Sequence, residues 1–380
     1  MAPNITSQTL LIAADTNNVL NGGKNIENCS KVSSSPEENR SNRDGHEDEE
    51  HYEWNICWRN VLAFLYLHVT AVYGLFLLLT GHVMLYTFVW NISLGIFAAL
   101  GVTAGAHRLW AHKAYSARWP LRVILALLQA MAFQNHIYEW VRDHRVHHKF
   151  TDTNADPHNA KRGFFFSHIG WLMVKKHPDV KIKGATVDMS DMTRDWVVMW
   201  QKRTYFFLMP FMCFIMPTIV PIFVWNEENW TAWYSTIFRY TLGLNFTWLV
   251  NSAAHIWGTK PYDKDISPME NKTVGVIALG EGWHNYHHVF PWDYKAAELG
   301  NYSVNLTTGF IDFFAKIGWA YNLRTVSYEA IRKRANRTGD GSLTEPDDYN
   351  HHMNVWGWGD ADMSNKAKMA VDVSHAKHSD

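Results

Sequence analysis

The sequence predicts an all-α integral membrane fold, four transmembrane helices carrying a cytosolic helical cap, and three observations lead to it. Four apolar stretches of membrane-spanning length come as two hairpins. Lys and Arg collect between the hairpins, and the two short loops within them carry neither. Histidines gather in ligand-spaced groups that this topology places on one side of the membrane.

Composition agrees. Hydrophobic residues make up 47% of the 380-residue chain, 19 residues are tryptophan, and the formal net charge is -1. Aromatic excess suits a membrane interface, and near-neutral charge argues against a nucleic-acid partner. Cys29, Cys57 and Cys213 form no CxxC pair and read as unpaired thiols in reducing surroundings.

Taken in order, residues 1–50 are rich in Asn, Ser, Asp and Glu without an apolar period and read as a disordered tail. The apolar patch Leu10–Ala14 is too short, and lacks the basic flank, for a cleaved signal peptide, so the first span serves as its own insertion signal. Residues 51–337 form the membrane domain. Spans at about 61–79 and 83–104 are separated by Thr80-Gly81-His82, and spans at about 205–224 and 233–254 by Asn226-Glu227-Glu228-Asn229-Trp230. Arg239 in the fourth span is expected to snorkel to the nearer interface. Four spans put both termini on one side, and Arg59, Arg108, Lys113, Arg118, Lys175 and Lys176 make that side cytosolic. The apolar run from Pro120 to Phe133 is short for a span and predicts an interfacial or buried helix, as does Phe310 to Ala320. The basic run Arg332 to Arg337 reads as solvated, with contact to anionic headgroups as the alternative, and 338–380 as a polar tail whose His351 and His352 have no third ligand nearby.

The chemistry lies in the histidines. In Asp143-His144-Arg145-Val146-His147-His148, residues i, i+3 and i+4 share one helix face, and Trp283-His284-Asn285-Tyr286-His287-His288 repeats the spacing. His107 and His112 are i and i+5, which would point about 140° apart on a continuous α-helix, so a turn is expected between them. His255 ends the fourth span. These imidazoles are too many for one ion, so two metals at the junction of cap and stem are expected. Imidazole alone does not choose among iron, zinc and copper. A metal transporter would place its polar ligands at mid-membrane, and here they fall on one face.

Over roughly residues 52 to 340 the chain resembles the animal acyl-CoA desaturases of the stearoyl-CoA desaturase family, its insect branch in particular. The resemblance rests on Thr103-Ala104-Gly105-Ala106-His107-Arg108-Leu109-Trp110-Ala111-His112, Glu139-Trp140-Val141-Arg142-Asp143-His144-Arg145-Val146-His147-His148, Asn251-Ser252-Ala253-Ala254-His255 and Gly280-Glu281-Gly282-Trp283-His284-Asn285-Tyr286-His287-His288. It implies a multi-pass protein of the endoplasmic reticulum with both termini cytosolic. His107, His112, His144, His147, His148, His255, His284, His287 and His288 would hold two Fe ions (Fe2+), with Asn251 acting through a metal-bound water. It also implies a fatty acyl-CoA substrate, O2 as oxidant, and electrons from a separate cytochrome b5 and its NADH-cytochrome b5 reductase. By position, Asn60, Asn135, Arg142, Asp143 and Lys175 would meet the coenzyme A headgroup, and Gln134, Trp140, Thr247 and Trp248 would line a bent acyl tunnel. Gly95 and Ala99, i and i+4 on the second span, would lie at its far end, with helix packing as the competing reading of Gly95. Arg142 and Asp143 could equally be a local ion pair supporting the adjacent ligands.

The resemblance implies a double bond placed at carbon 9, with carbon 11 as the insect variant. Removing hydrogens from unactivated methylenes lies beyond side-chain acid–base chemistry, so a redox metal fits where zinc does not. Two other classes share parts of the pattern: a histidine-rich membrane hydroxylase of fatty acids or sterols, separated by its product, and a non-enzymatic metal-binding or transport protein, separated by metal flux without oxygen consumption.

Overall fold

A computed structural model describes residues 54–298 and 302–343; the expected tail 1–50 and most of 338–380 lie outside the described residues. Helix α1, Trp58–Leu79, leads into α2, Leu85–Leu100, which continues without a break into the π-helical stretch Gly101–Ala111. Next come α3, Trp119–Met131, and α4, Ile137–Lys149. A segment of short turns leads to α5, Trp196–Pro210, a π-helical turn Phe211–Ile215 and α6, Met216–Trp225, which together form one rod. After α7, Asn229–Asn251, come the short α8, His284–Val289, then α9, Leu306–Lys316, and α10, Tyr328–Thr338. The two-residue strands Ser116–Ala117 and Ala320–Tyr321 pair antiparallel and tie the stretch after α9 to the segment before α3.

Three of the described helices are long and apolar enough to cross a membrane: Trp58–Leu79, Leu85–Ala111 and Trp196–Trp225. They leave large apolar side chains such as Leu62, Val69, Phe207 and Phe223 exposed, a surface that suits lipid and not water. The fourth expected span coincides with α7, which has the length but carries Ser235, Thr236, Arg239, Thr241, Asn245 and Thr247. Its polar content follows from its place, since α7 packs against α1, α2 and α6 and buries most of those groups within the protein.

The buried arm of the expectation for residues 120–133 is what α3 adopts. Pro120 starts it, and Leu121, Leu125, Ala126 and Ala130 are buried against the π-helical stretch and α5. The contact is close at Gly101, where an added Cβ would fall 2.2 Å from the backbone nitrogen of Gln129. No side chain fits there.

Three sequence expectations change. No turn separates His107 from His112: the backbone N–H of His112 donates to the carbonyl of His107 at 3.1 Å, and the wider π-helical turn brings i and i+5 onto one face. Arg239 does not snorkel. It is buried, and its Nη2 donates to the carbonyl of Cys213 at 2.6 Å. The basic run is not wholly solvated, because Arg334 on α10 is buried and pairs with Asp263.

Candidate metal centre

Each histidine group sits on its own element. The α4 helix, N-capped by His136 accepting from the backbone N–H of Glu139, presents His144, His147 and His148 on one face. The short α8 presents His284, His287 and His288. It starts where the chain is pressed against Lys272–Ile277, because a Cβ on Gly282 would lie 2.0 Å from the backbone nitrogen of Gly275. His107 and His112 come from the π-helical end of α2, and His255 from the turn Ala253–Ile256 that follows α7.

All nine side chains converge, and they divide unequally. His107, His112, His144, His148 and His287 bring ligand nitrogens within 4.8 Å of one another, and His147, His255, His284 and His288 do the same in a second cluster. The i, i+3, i+4 boxes therefore straddle both clusters. The first gives two histidines to one cluster and one to the other, and the second box does the reverse. Within the five-membered cluster, Nε2 of His107 lies 3.0 Å from Nε2 of His287, and Nε2 of His112 lies 2.8 Å from Nε2 of His144. Within the four-membered cluster the Nε2 atoms of His284 and His255 are 3.0 Å apart. The rings of His148 and His288 stack at 4.1 Å where the clusters meet.

Carboxylates meet the far sides of three of these rings. Glu281 Oε2 lies 2.6 Å from Nδ1 of His107, while its other oxygen accepts from Arg108 Nη2 at 2.8 Å. Asp156 Oδ2 is 2.9 Å from Nδ1 of His147, and Asp152 approaches Nδ1 of His255 at 3.9 Å. Burial alone would raise the Glu281 carboxyl, but the Arg108 guanidinium and His107 outweigh it and hold the group down at about 2. Burial, reinforced by the neighbouring imidazoles, holds His144, His284, His287 and His288 well below the usual histidine range. Neutral imidazoles aimed at common points with carboxylates behind them are the donor set a metal needs. Asn251 adds an observation of the same kind, a buried Nδ2 with no hydrogen-bond partner on the cavity wall beside His147 and His284.

Sequence reasoning gave no role to Glu281, Asp152, Asp156 or His158. Asp156 also accepts from the backbone N–H groups of Asp152 and His158, and His158 is buried with its ring 4.4 Å from that of His147. The available signal was Asp152-Thr153-Asn154-Ala155-Asp156-Pro157-His158, acids and a histidine directly after the first box.

The other expected residues separate into two groups. A cavity of about 320 Å³ runs between α1, α2 and α7, with Gly95, Ala99, Trp140, Thr247 and Asn251 on its wall and His107 and His144 at its inner end. Trp140 stacks on His144 at 4.9 Å, and Gln134 donates to Thr247 Oγ1 at 2.9 Å, closing the bottom of α3 onto α7. Trp248 is fully buried against Phe64 and His168. Arg142 and Asp143 form a local pair at 3.1 Å, joined by Lys176, whose Nζ is 2.6 Å from Asp143. Asn60 is buried and donates to the carbonyl of Leu172, and Asn135 holds a left-handed backbone (φ 67°) while its carbonyl accepts from Gln129.

The fatty acid desaturase family model matches residues 83–298. The chain is 60% identical to the Acyl-CoA Delta-9 desaturase of Acheta domesticus over 83% of this chain and 85% of that one. It is 56% identical to the Acyl-CoA Delta12-desaturase of the same organism, over 83% and 85%. To the Acyl-CoA Delta(11) desaturase of Trichoplusia ni it is 50% identical, over 86% and 90%. The matched stretch runs from the start of α2 to beyond α8, and so takes in every element that contributes to the two histidine clusters: the chain belongs to the fatty acid desaturase family.

Proposed function

We propose that the chain is an acyl-CoA desaturase of the endoplasmic reticulum membrane, four-spanning with both termini cytosolic, that removes two hydrogens from a saturated fatty acyl-CoA to leave a double bond at carbon 9. The observation that carries this reading is the cavity, an apolar slot of about 320 Å³ lined from Gly95 to His107, His144, His147 and His284, so that its inner end lies at the histidine clusters. The relatives' names agree on acyl-CoA desaturation and differ in carbon position, so the position is the finer part of the proposal.

Nine histidines with converging Nε2 atoms and the unsatisfied Asn251 amide suit two irons, with Asn251 acting through a water. When bound, such redox metals supply the power to activate O2 that no side chain has. Electrons would come from cytochrome b5 and its NADH-dependent reductase. The chain's own residues do the rest. Glu281 and Asp156 fix the orientation of His107 and His147. Trp140 walls one side of the inner end, and the apolar lining of the slot disfavours water beside the reacting methylenes. Arg142 and Lys176 leave cationic groups near the cap surface that suit the phosphates of coenzyme A, with Asp143 holding them in place. Asn60, Asn135 and Lys175 complete the proposed headgroup site, and Gln134, Thr247 and Trp248 the bend of the slot.

Expression in a desaturase-deficient yeast, with mass spectrometry locating the double bond, tests this reading. Monoenes with the bond at carbon 9 are expected. A bond at another carbon removes that detail, and a lack of any unsaturated product removes the function.

The depth of the slot gives a second expectation. Gly95 lies about three helical turns from His107, and a Cβ added there meets only Arg239 Cγ, at an ordinary 3.6 Å. Gly95→Tyr should therefore be accommodated with its ring in the slot, shifting preference from longer to shorter acyl chains while the bond stays fixed relative to the carboxyl end. Ala99, one turn further in, lines the same wall. Equal loss on every chain length would make Gly95 a packing residue.

A further inference from the structure

The Arg239 guanidinium lies within an apolar membrane stem, where a charge is expensive and persists for a reason. Its Nη2 donates to the carbonyl of Cys213, its Nε is buried without a partner, and its Cγ lies 3.6 Å from where a Cβ on Gly95 would stand on the cavity wall. Sequence explains the first contact. In an α-helix the carbonyl of Cys213 would accept from the backbone N–H of residue 217, and residue 217 is proline. The chain turns π-helical at Phe211–Ile215 and leaves that carbonyl open toward α7. Pro221 frees the carbonyl of Pro217 in the same way, and that one accepts from Trp90 Nε1 on α2 at 3.2 Å. Two proline-freed carbonyls in one rod are thus clasped by side chains from α2 and α7, two of the helices that wall the cavity.

Resting on the reading of this cavity as the acyl slot, we infer that Arg239 is a specificity-determining residue for acyl chain length. Anchored to Cys213, its extended side chain cannot swing away, so it fixes the width of the slot at the level of Gly95. It also lines the small cavity of about 30 Å³ beside Gln134 and Thr247, into which a shorter side chain would open the slot. Arg239 is a positioning residue, far from the histidines, and acts on which chain is accepted and not on where the bond falls.

The test compares wild type, Arg239→Met and Arg239→Lys on saturated acyl-CoAs of increasing length, reading kcat/KM and bond position for each. Arg239→Met is expected to move the ratio of long-chain to short-chain kcat/KM toward long chains by about tenfold, the scale set by a methylene or two in an apolar pocket, with the bond position unchanged. Arg239→Lys, which keeps a donor and most of the length, is expected to stay close to wild type. The double variant Pro217→Ala/Arg239→Met covers a failure to fold, because alanine supplies at position 217 the backbone N–H donor that the Cys213 carbonyl lacks. It should recover membrane insertion and still show the shifted profile. A wild-type length profile in either methionine variant, or a parallel loss at all lengths with metal content intact, overturns the inference. A wild type that yields no unsaturated product overturns the functional reading instead, so the two failures are distinguishable.

Discussion

His147→Ala and His287→Ala are both expected to abolish turnover, and to differ in the metal they retain. His287 belongs to the five-membered cluster, so its loss leaves His107, His112, His144 and His148 in place. His147 belongs to the four-membered cluster, so its loss leaves three imidazoles. With both ligand sets needed for the chemistry, activity should fall below detection in each variant. Metal per protein should drop clearly in His147→Ala and much less in His287→Ala, measured by elemental analysis of purified protein. Neither residue lies on a membrane-spanning helix, so insertion and yield should stay near wild type. Normal turnover in either variant would remove that histidine from the ligand set, and equal metal loss in both would remove the five-and-four division.

Glu281→Gln and Asp156→Asn have the next largest effects. Both carboxylates face the Nδ1 edge of a histidine whose other nitrogen points into a cluster. Losing such support lowers metal affinity or activity by about 10–100-fold, and that range is expected for both amides. They should part on stability. Glu281 also neutralises Arg108, which is only 1% exposed. Its removal leaves a buried cation without its carboxylate, a change of about 3–5 kcal/mol. Because the Glu281 carboxyl is held at about 2, below its ordinary 4.5, its contribution is full above pH 4.5 and is lost as pH falls toward 2. Thermal unfolding against pH should show that loss in wild type and less of it in Glu281→Gln. A Glu281→Gln variant with wild-type metal content and wild-type melting would contradict the assignment.

Much of the site was legible because helical spacing is legible. His144, His147 and His148 had to share a face, and so did His284, His287 and His288, whatever the rest of the chain did. What spacing could not give was the division of each face between two clusters, since that depends on how α4 and α8 cross in space. The His107–His112 pair was misread for a definite reason: an α-helical periodicity was assumed where the backbone widens to i→i+5 bonding. Asp156 and Glu281 escaped notice because an acid beside a histidine box has no period, and its role depends on folding back at hydrogen-bond distance.

The same contrast holds for the stem. Three of the four spans expected from hydropathy coincide with helices long and apolar enough to cross a membrane. The α7 helix is the instructive case, because a helix packed against α1, α2 and α6 can carry Asn245, Thr247 and a buried arginine along its length. The expected snorkelling of Arg239 treated it as a lipid-facing residue. Its acceptor was instead a carbonyl freed by a proline twenty-two positions earlier in the chain, a pairing that no local pattern announces.

Incubating the purified, iron-loaded protein with a saturated acyl-CoA, reduced cytochrome b5 and O2, and weighing the acyl product by mass spectrometry, tests the central claim most directly. The account predicts an acyl chain lighter by two hydrogens, formed only when O2 is present and absent from His147→Ala. A product heavier by one oxygen would make the protein a hydroxylase, and an unaltered acyl chain would contradict the account outright.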